Sequence, residues 1–191
     1  ITPDEITEEM LSAYQCIYIE GYLLVNEELV RTTMQKAKKL GLKVALDLSN
    51  FNIVNAFKGM LEDIIPKYVD ILFSNESEAE AFTGQKAAEA VHTLSELVEV
   101  SLVTLGKEGA LIGSHGQFYS VPAEGGKPVD TTGAGDNFAA GFLYGQSIGA
   151  SLVQSARIGS MLAGYVIDVV GPEIPYDKWE QIKLKVKGIL A

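Results

Sequence analysis

The sequence is poor in the residues that build disulfides and zinc sites. Its 191 residues include one cysteine, Cys16, and two histidines, His92 and His115. A single cysteine excludes an intrachain disulfide and favours a reducing compartment, so we expect a cytoplasmic protein. The two histidines lie far apart and no paired cysteines accompany them, which argues against a zinc site.

Positive charge and long apolar runs are also scarce. Fifteen Lys and Arg residues against 25 Asp and Glu residues give a formal charge of −10. This excess of negative charge argues against a nucleic-acid backbone or an anionic membrane surface as a partner. No apolar run reaches the roughly 20 residues that a transmembrane helix needs, and no signal-peptide pattern opens the chain. The content of 47% hydrophobic and 21% charged residues is that of a globular protein.

Two common phosphate-binding fingerprints are missing. The P-loop pattern Gly-x-x-x-x-Gly-Lys-Ser/Thr does not occur, because Gly125-Gly126-Lys127 is followed by Pro128 and lacks the earlier glycine. The dinucleotide pattern Gly-x-Gly-x-x-Gly also fails, since Phe138 stands where the third glycine is required. These absences disfavour a P-loop NTPase and a small-molecule dehydrogenase.

Apolar strands and helical patterns alternate four times before Gly106. We predict strands at about 15–19, 43–48, 69–73 and 100–105. We predict helices after Asn26, at 55–65 where Pro66 ends the helix, at 76–82 and at 87–97. This alternation is typical of an α/β protein with a mostly parallel sheet and helices on both faces. We interpret residues 1–191 as a single domain.

The pattern of predicted strands and helices changes in the second half of the chain. Short strands at 110–112 and 117–119, split by Ser114-His115-Gly116, predict an antiparallel hairpin at the sheet edge. Three helices at about 136–148, 151–169 and 176–190 follow. Ligands of open α/β sheets bind at the carboxyl ends of the strands. Three of those ends carry polar or glycine residues, at 47–50, 74–78 and 104–109.

A glycine-broken turn leads into a helix at Asp130-Thr-Thr-Gly-Ala-Gly-Asp136. Gly133, Ala134 and Gly135 place little side-chain bulk at the helix N-terminus, so backbone amides there can approach an anion such as phosphate. Asp136 follows directly, and a carboxylate beside a transferring phosphoryl group can take the proton from an attacking hydroxyl. The alternative is a turn followed by an ordinary helix cap.

This stretch closely resembles the Asp-Thr-x-Gly-Ala-Gly-Asp motif of the PfkB (ribokinase-like) family of sugar and nucleoside kinases, and within it the adenosine-kinase type. The resemblance covers the chain from about Gln15 to the end. It implies transfer of the γ-phosphoryl group of ATP to a primary hydroxyl of a sugar or nucleoside. Asp136 would be the base, and the amides of 133–136 the anion hole. A non-catalytic nucleotide-binding module is the alternative.

The resemblance also implies roles for residues nearer the start of the chain. Asn75 and Glu78 have the Asn-x-x-Glu spacing that the family uses near Mg²⁺ and the phosphates, with Glu78 acting through water; an ordinary capped helix start has the same pattern. Thr104, Gly106 and Gly109 match a Thr-x-Gly-x-x-Gly stretch that lines the nucleotide. Their glycines also suit a hairpin turn.

Two further assignments concern the C-terminal helices. Ile158, Gly159 and Ala163 lie on a helix rich in small residues, which in the family forms one wall of the adenine site. Close helix packing is the alternative explanation. Asp130 matches a loop that holds a monovalent cation such as K⁺ in many relatives, and otherwise it stabilises a turn.

The early strands of the family fold have no counterpart before Gln15. Those strands carry the acid that binds the acceptor, a glycine pair and a small β-sheet lid. We therefore expect the C-terminal portion of a ribokinase-like fold, a fragment of a longer kinase that is weak or inactive alone. The sheet edge left open by the missing strands would favour association, for example as a homodimer.

Overall fold

The computed structural model describes residues 1–125 and 128–191. Gly126 and Lys127, which belong to the Gly-Gly-Lys stretch that lacks the P-loop pattern, lie outside the described residues. Within the described ranges six strands form one sheet in the order β1-β2-β3-β4-β5-β6. The strands are β1 Cys16–Glu20, β2 Lys43–Asp47, β3 Ile71–Asn75, β4 Val100–Thr104, β5 Ala110–Ser114 and β6 Gln117–Val121.

Helices separate the first four strands and then complete the chain after the sheet. They are α1 Glu8–Leu11, α2 Glu27–Lys39, α3 Phe51–Ala56, α4 Lys58–Tyr68, α5 Glu76–Thr83, α6 Ala87–Ser95, α7 Ala134–Ser147, α8 Leu152–Val166 and α9 Trp179–Leu190. The predicted α/β alternation and the sheet flanked by helices are confirmed.

The first three strands are parallel, and their register brings their carboxyl ends together. Glu20 pairs with Asp47 across β1 and β2, and Asp47 pairs with Phe73 across β2 and β3. Because parallel strands end at the same edge of the sheet, the polar residues that end β1 and β2 are neighbours, and β3 extends two residues further, to Asn75. This edge is where the ligands of open α/β sheets bind.

β5 and β6 form the predicted hairpin. The two-residue turn between them is His115–Gly116, and both residues have positive φ, 49° and 73°. Two positive φ values give a turn whose twist matches that of the strands it joins, and glycine adopts this conformation without strain. The predicted hairpin is therefore confirmed, with a turn one residue shorter than expected.

The chain folds into two compact units, and each has its own core. The first comprises 1–103 and 113–118, and the second 104–112 and 119–191. Fully buried aliphatic side chains fill the first unit, among them Leu24, Val44, Leu46, Leu61 and Leu72. α8 and α9 pack together in the second unit through Ile158, Met161, Leu162, Val166, Ile174, Ile182, Val186 and Ile189. The single-domain interpretation stays a prediction.

Several predicted helix boundaries are wrong; α6, for example, ends at Ser95 rather than at residue 97. The segment assigned to 55–65 forms α3 and α4, which are separated at Phe57 (φ −115°, ψ 20°). Pro66 does not end α4. It lies in the last turn of the helix, where its missing N–H removes only one hydrogen bond. α8 ends at Val166 rather than at residue 169.

Candidate functional site

The N-terminus of α7 has two open backbone amides. Gly133 precedes the helix with φ 78°, and a Cβ on it would lie 2.8 Å from Cβ of Pro172. Only glycine meets both conditions without strain. The Ala134 N–H donates to the Thr131 carbonyl at 3.2 Å, whereas the N–H groups of Gly135 and Asp136 have no acceptor within the described part of the chain. An anion can therefore use two amides here without breaking a hydrogen bond.

Asp136 lies in the first turn of α7 and is exposed. Its carboxylate adjoins the two open amides along the chain. A carboxylate that acts as a general base must be accessible to the hydroxyl from which it takes a proton. The predicted roles of Gly133, Ala134, Gly135 and Asp136 remain predictions. The amides of Gly135 and Asp136 are open as an anion hole requires, whereas that of Ala134 is already bonded to Thr131.

The turn before α7 is tied to the segment that follows α8. Oδ1 of Asp130 accepts from the N–H and hydroxyl of Thr132 at 2.9 and 2.7 Å, and Oδ2 accepts from the Gly171 N–H at 2.9 Å. These donors, with the Gly171 N–H first, lower the pKa of the Asp130 carboxyl. Asp130 therefore stabilises the turn, and its role as a ligand of a monovalent cation stays a prediction.

Asn75 and Glu78 form a reciprocal cap at the start of α5. The Glu78 N–H donates to Oδ1 of Asn75 at 3.0 Å, and the Asn75 N–H donates to Oε2 of Glu78 at 2.8 Å. Nδ2 of Asn75 also donates to Oε1 of Glu78 at 2.6 Å. Glu78 is only 4% exposed, and burial raises the pKa of its carboxyl. An ordinary surface cap does not bury its carboxylate in this way.

Asp47 is a candidate that the sequence reasoning left without a role. Its Oδ1 accepts from the Ser49 N–H at 2.6 Å, and its Oδ2 accepts from the Tyr18 hydroxyl at 3.3 Å. Burial raises the pKa of Asp47 to about 7, and repulsion from Glu78 and Glu20 adds to the effect. The only sequence signal was its position as the last residue of β2, between two other polar strand ends.

Ser49 closes the loop after β2 in a conformation that is uncommon for a residue with a side chain. Its φ is 62°, and its hydroxyl accepts from the Gly21 N–H at 2.7 Å and donates to Oε2 of Glu20 at 3.1 Å. Backbone strain of this kind concentrates at functional sites. The ends of β1 and β2 are therefore bonded to each other through this serine.

Two carboxylates of the first unit, Asp47 and Glu78, are candidates for binding a divalent cation. In the described residues no group of three or more His, Cys, Asp or Glu is placed to hold a metal ion. Burial nevertheless raises the pKa of both Asp47 and Glu78, and repulsion from Glu78 raises the pKa of Asp47 further. A cation would offset that repulsion, and Mg²⁺ commonly takes one or two carboxylates and keeps its waters.

The turn after β4 places its three predicted residues differently. Thr104 is half-buried at the end of the strand, and Gly106 is exposed with φ 54° and open space around it. Gly109 is buried with φ 100°, and a Cβ there would lie 1.9 Å from the Val121 carbonyl oxygen. The close backbone approach and the positive φ together explain why residue 109 is glycine. All three contacts with a nucleotide stay predictions.

The two glycines of this turn give a matched test of the packing argument. We expect Gly109→Ala to lower the free energy of unfolding by at least about 3 kcal/mol, because the methyl group collides with backbone. In Gly106→Ala the added methyl group enters open space. The only loss is the cost of holding alanine in the left-handed conformation, about 1 kcal/mol. Urea denaturation of both variants measures the difference. Equal losses would show that the close contact at Gly109 is not the cause.

The face of α8 proposed for adenine is partly used for packing. Ile158 is buried in the core of the second unit, and a Cβ on Gly159 would lie 2.5 Å from the Phe138 carbonyl oxygen. Close helix packing therefore accounts for both residues, whereas Ala163 is half-buried. Their contacts with a nucleotide stay predictions.

Another side of α8 holds the loop before Gly126. The Ser160 hydroxyl donates to the Pro122 carbonyl at 2.8 Å and accepts from the Glu124 N–H at 3.0 Å. A cavity of about 370 Å³ opens beside this loop. It is lined by Glu124, Gly125, Met161, Gly164, Tyr165, Asp168, Val169, Pro175, Lys178, Gln181 and Lys185.

Together these features define an α/β protein with carboxylates at parallel strand ends and an anion-receptive helix N-terminus. The chain belongs to the pfkB family of carbohydrate kinases, whose family model matches residues 2–179. The family resemblance carried by the glycine motif is confirmed. No helix in the described ranges is long and apolar enough to cross a membrane.

Adenosine kinase of Saccharomyces cerevisiae is 32% identical over 194 residues, which cover 93% of this chain and 57% of that protein. Among solved structures, a probable sugar kinase from Rhizobium etli is 30% identical with a TM-score of 0.91, covering 99% of this chain and 58% of the other. Arabidopsis thaliana ribokinase, solved with ribose and ATP, is 25% identical with a TM-score of 0.75, covering all of this chain and 59% of the other. The ribokinase-like fold is confirmed, and the chain spans somewhat more than half the length of these relatives.

Proposed function

We propose that the protein transfers the γ-phosphoryl group of ATP to a primary hydroxyl of a sugar or nucleoside. The observation that carries this proposal is the exposed Asp136 beside two open amides at the start of α7. The yeast relative is an adenosine kinase, and the Arabidopsis relative was solved with ribose and ATP, which supports the same chemistry in this chain.

Asp136 has the position and chemistry of a base. As the acceptor hydroxyl attacks the γ-phosphorus, its proton passes to the Asp136 carboxylate and a new P–O bond forms. The bond from the γ-phosphorus to the β,γ-bridging oxygen breaks, and ADP leaves with that electron pair. The N–H groups of Gly135 and Asp136 stabilise the negative charge on the transferring group.

Glu78 is the residue that we assign to Mg²⁺, through water, with Asp47 as a second carboxylate. Both carboxylates are buried, and Glu78 repels Asp47. A bound divalent cation would offset that repulsion. Mg²⁺, when bound, neutralises charge on the phosphates. We assign Thr104 and Gly106 to the nucleotide. Asp130 is the candidate ligand for K⁺, in addition to the turn that it stabilises.

An acceptor screen tests the proposal. The intact mass of the native protein is measured first, because a mass above 20.6 kDa would support the expectation that these residues are part of a longer kinase. The native protein is then assayed for ADP formation from Mg-ATP with a panel of sugars and nucleosides, and the products are identified by phosphorus NMR. We expect ADP formation that depends on one acceptor class.

Two results would contradict phosphoryl transfer to a sugar or nucleoside. ADP release that is independent of every acceptor would indicate hydrolysis rather than transfer. ATP binding in a calorimeter without turnover on any acceptor would support the alternative, a non-catalytic nucleotide-binding module. A homodimer remains a prediction that the oligomeric state in solution tests.

A further inference from the structure

The side chain of Asn137 bridges the start of α7 to a distant segment of the same unit. Its Nδ2 donates to the Gly133 carbonyl at 2.9 Å and to the Pro172 carbonyl at 3.3 Å. The backbone N–H of Asn137 already donates to the Gly133 carbonyl at 3.0 Å. The helix start therefore has its ordinary hydrogen bond without the side chain, and the amide adds a connection across to residue 172.

That connection completes a set of bonds around the motif turn. The N–H groups of Val129 and Asp130 donate to the Ile167 carbonyl at 2.7 and 3.3 Å, and the Gly171 N–H donates to Asp130. These bonds hold the beginning of the turn. The Asn137 side chain holds its end, where Gly133 leads into the helix.

The end of the turn is also where geometry matters most. A Cβ on Gly133 would lie 2.9 Å from Cα of Pro172, so the two segments are in close backbone contact at this point. The next two residues after Ala134 carry the open amides and the Asp136 carboxylate. A small rotation of Gly133 would move all three groups relative to a bound phosphate.

We propose that Asn137 is a positioning residue for phosphoryl transfer. It fixes the left-handed Gly133 against Pro172 and thereby sets the direction of the amides of Gly135 and Asp136. This inference rests on the proposed function, because it assigns a role within the same reaction. Misplacing reacting groups by about 1 Å can cost on the order of 100-fold in rate. The effect belongs in kcat, since the charge that these amides stabilise develops during transfer.

Gln146 provides a matched control at the other end of the same helix. Its Nε2 also donates two hydrogen bonds, to the Ala150 carbonyl at 3.2 Å and to the Ser155 hydroxyl at 2.8 Å. Removing either amide should lower stability by a similar amount, about 1–2 kcal/mol. Only one of the two amides adjoins the proposed site.

The experiment compares Asn137→Ala, the isosteric Asn137→Asp and Gln146→Ala in the native protein, assayed well below the melting temperature of every variant. We expect both Asn137 variants to lose about 10- to 100-fold in kcat, with the KM for ATP changed by less than about threefold. We expect Gln146→Ala to melt at about the same temperature as Asn137→Ala and to keep wild-type kcat.

The outcomes separate this inference from the proposed function. An inactive wild-type protein would remove the proposed function and this inference together. An active wild type with an equally active Asn137→Ala variant would overturn the inference alone. Equal losses of kcat in Asn137→Ala and Gln146→Ala would assign the effect to general destabilisation, which also overturns it.

Discussion

We expect replacement of Asp136 with Asn to lower kcat by at least about 1,000-fold and to leave the KM for ATP within about threefold of wild type. The amide is nearly isosteric with the carboxylate but cannot accept the proton of the acceptor hydroxyl. The two open amides of the α7 N-terminus remain, so we expect nucleotide binding to be retained. Steady-state kinetics with the acceptor found in the screen, together with calorimetric titration of ATP, measure both quantities.

Asp177→Asn is the control for this experiment. Asp177 is also an exposed acid of the second unit, 72% exposed and paired with Lys178 at 3.4 Å. It lies outside the α7 N-terminus, so we expect wild-type kcat. A loss of less than about tenfold in Asp136→Asn would show that Asp136 is not the base.

We expect Asp47→Asn to make the protein more stable at alkaline pH. The folded-state pKa of Asp47 is about 7, above the ordinary value of 3.8, so the folded state holds this proton more tightly than the unfolded state does. The free energy of unfolding of the wild type therefore falls as pH rises from about 4 to 7, and it levels off above 7. At pH 8 the neutral variant is more stable by up to about 4 kcal/mol.

Urea denaturation between pH 5 and 8.5 tests this effect, with Asp63→Asn as the control. Lys67 and Arg31 lower the pKa of Asp63, so its removal brings no gain at pH 8. Identical pH profiles for wild type and Asp47→Asn would contradict the burial of a carboxyl that titrates near neutral pH. Added Mg²⁺ should flatten the wild-type profile, because a cation stabilises the ionised carboxylate.

Local sequence patterns determined much of the fold. Asn26 caps α2 by accepting from the Leu29 N–H at 3.1 Å, and Gly84 ends α5 with φ 74°. Capping and left-handed helix ends depend on residues within one turn of each other, so the sequence alone identifies them. The alternation of strands and helices and the hairpin were predicted for the same reason, and the anion-binding role of the α7 N-terminus stays a prediction.

The tertiary structure decided which chemical groups are available. The sequence could not show that the Ala134 amide is already bonded, that Gly109 is pressed against backbone, or that Pro66 is tolerated inside α4. Nor could it show the environment of Asp47, whose pKa depends on burial and on Glu78 and Glu20 from other elements of the fold. Burial and charge repulsion arise between residues far apart in the chain, and only folding brings them within range.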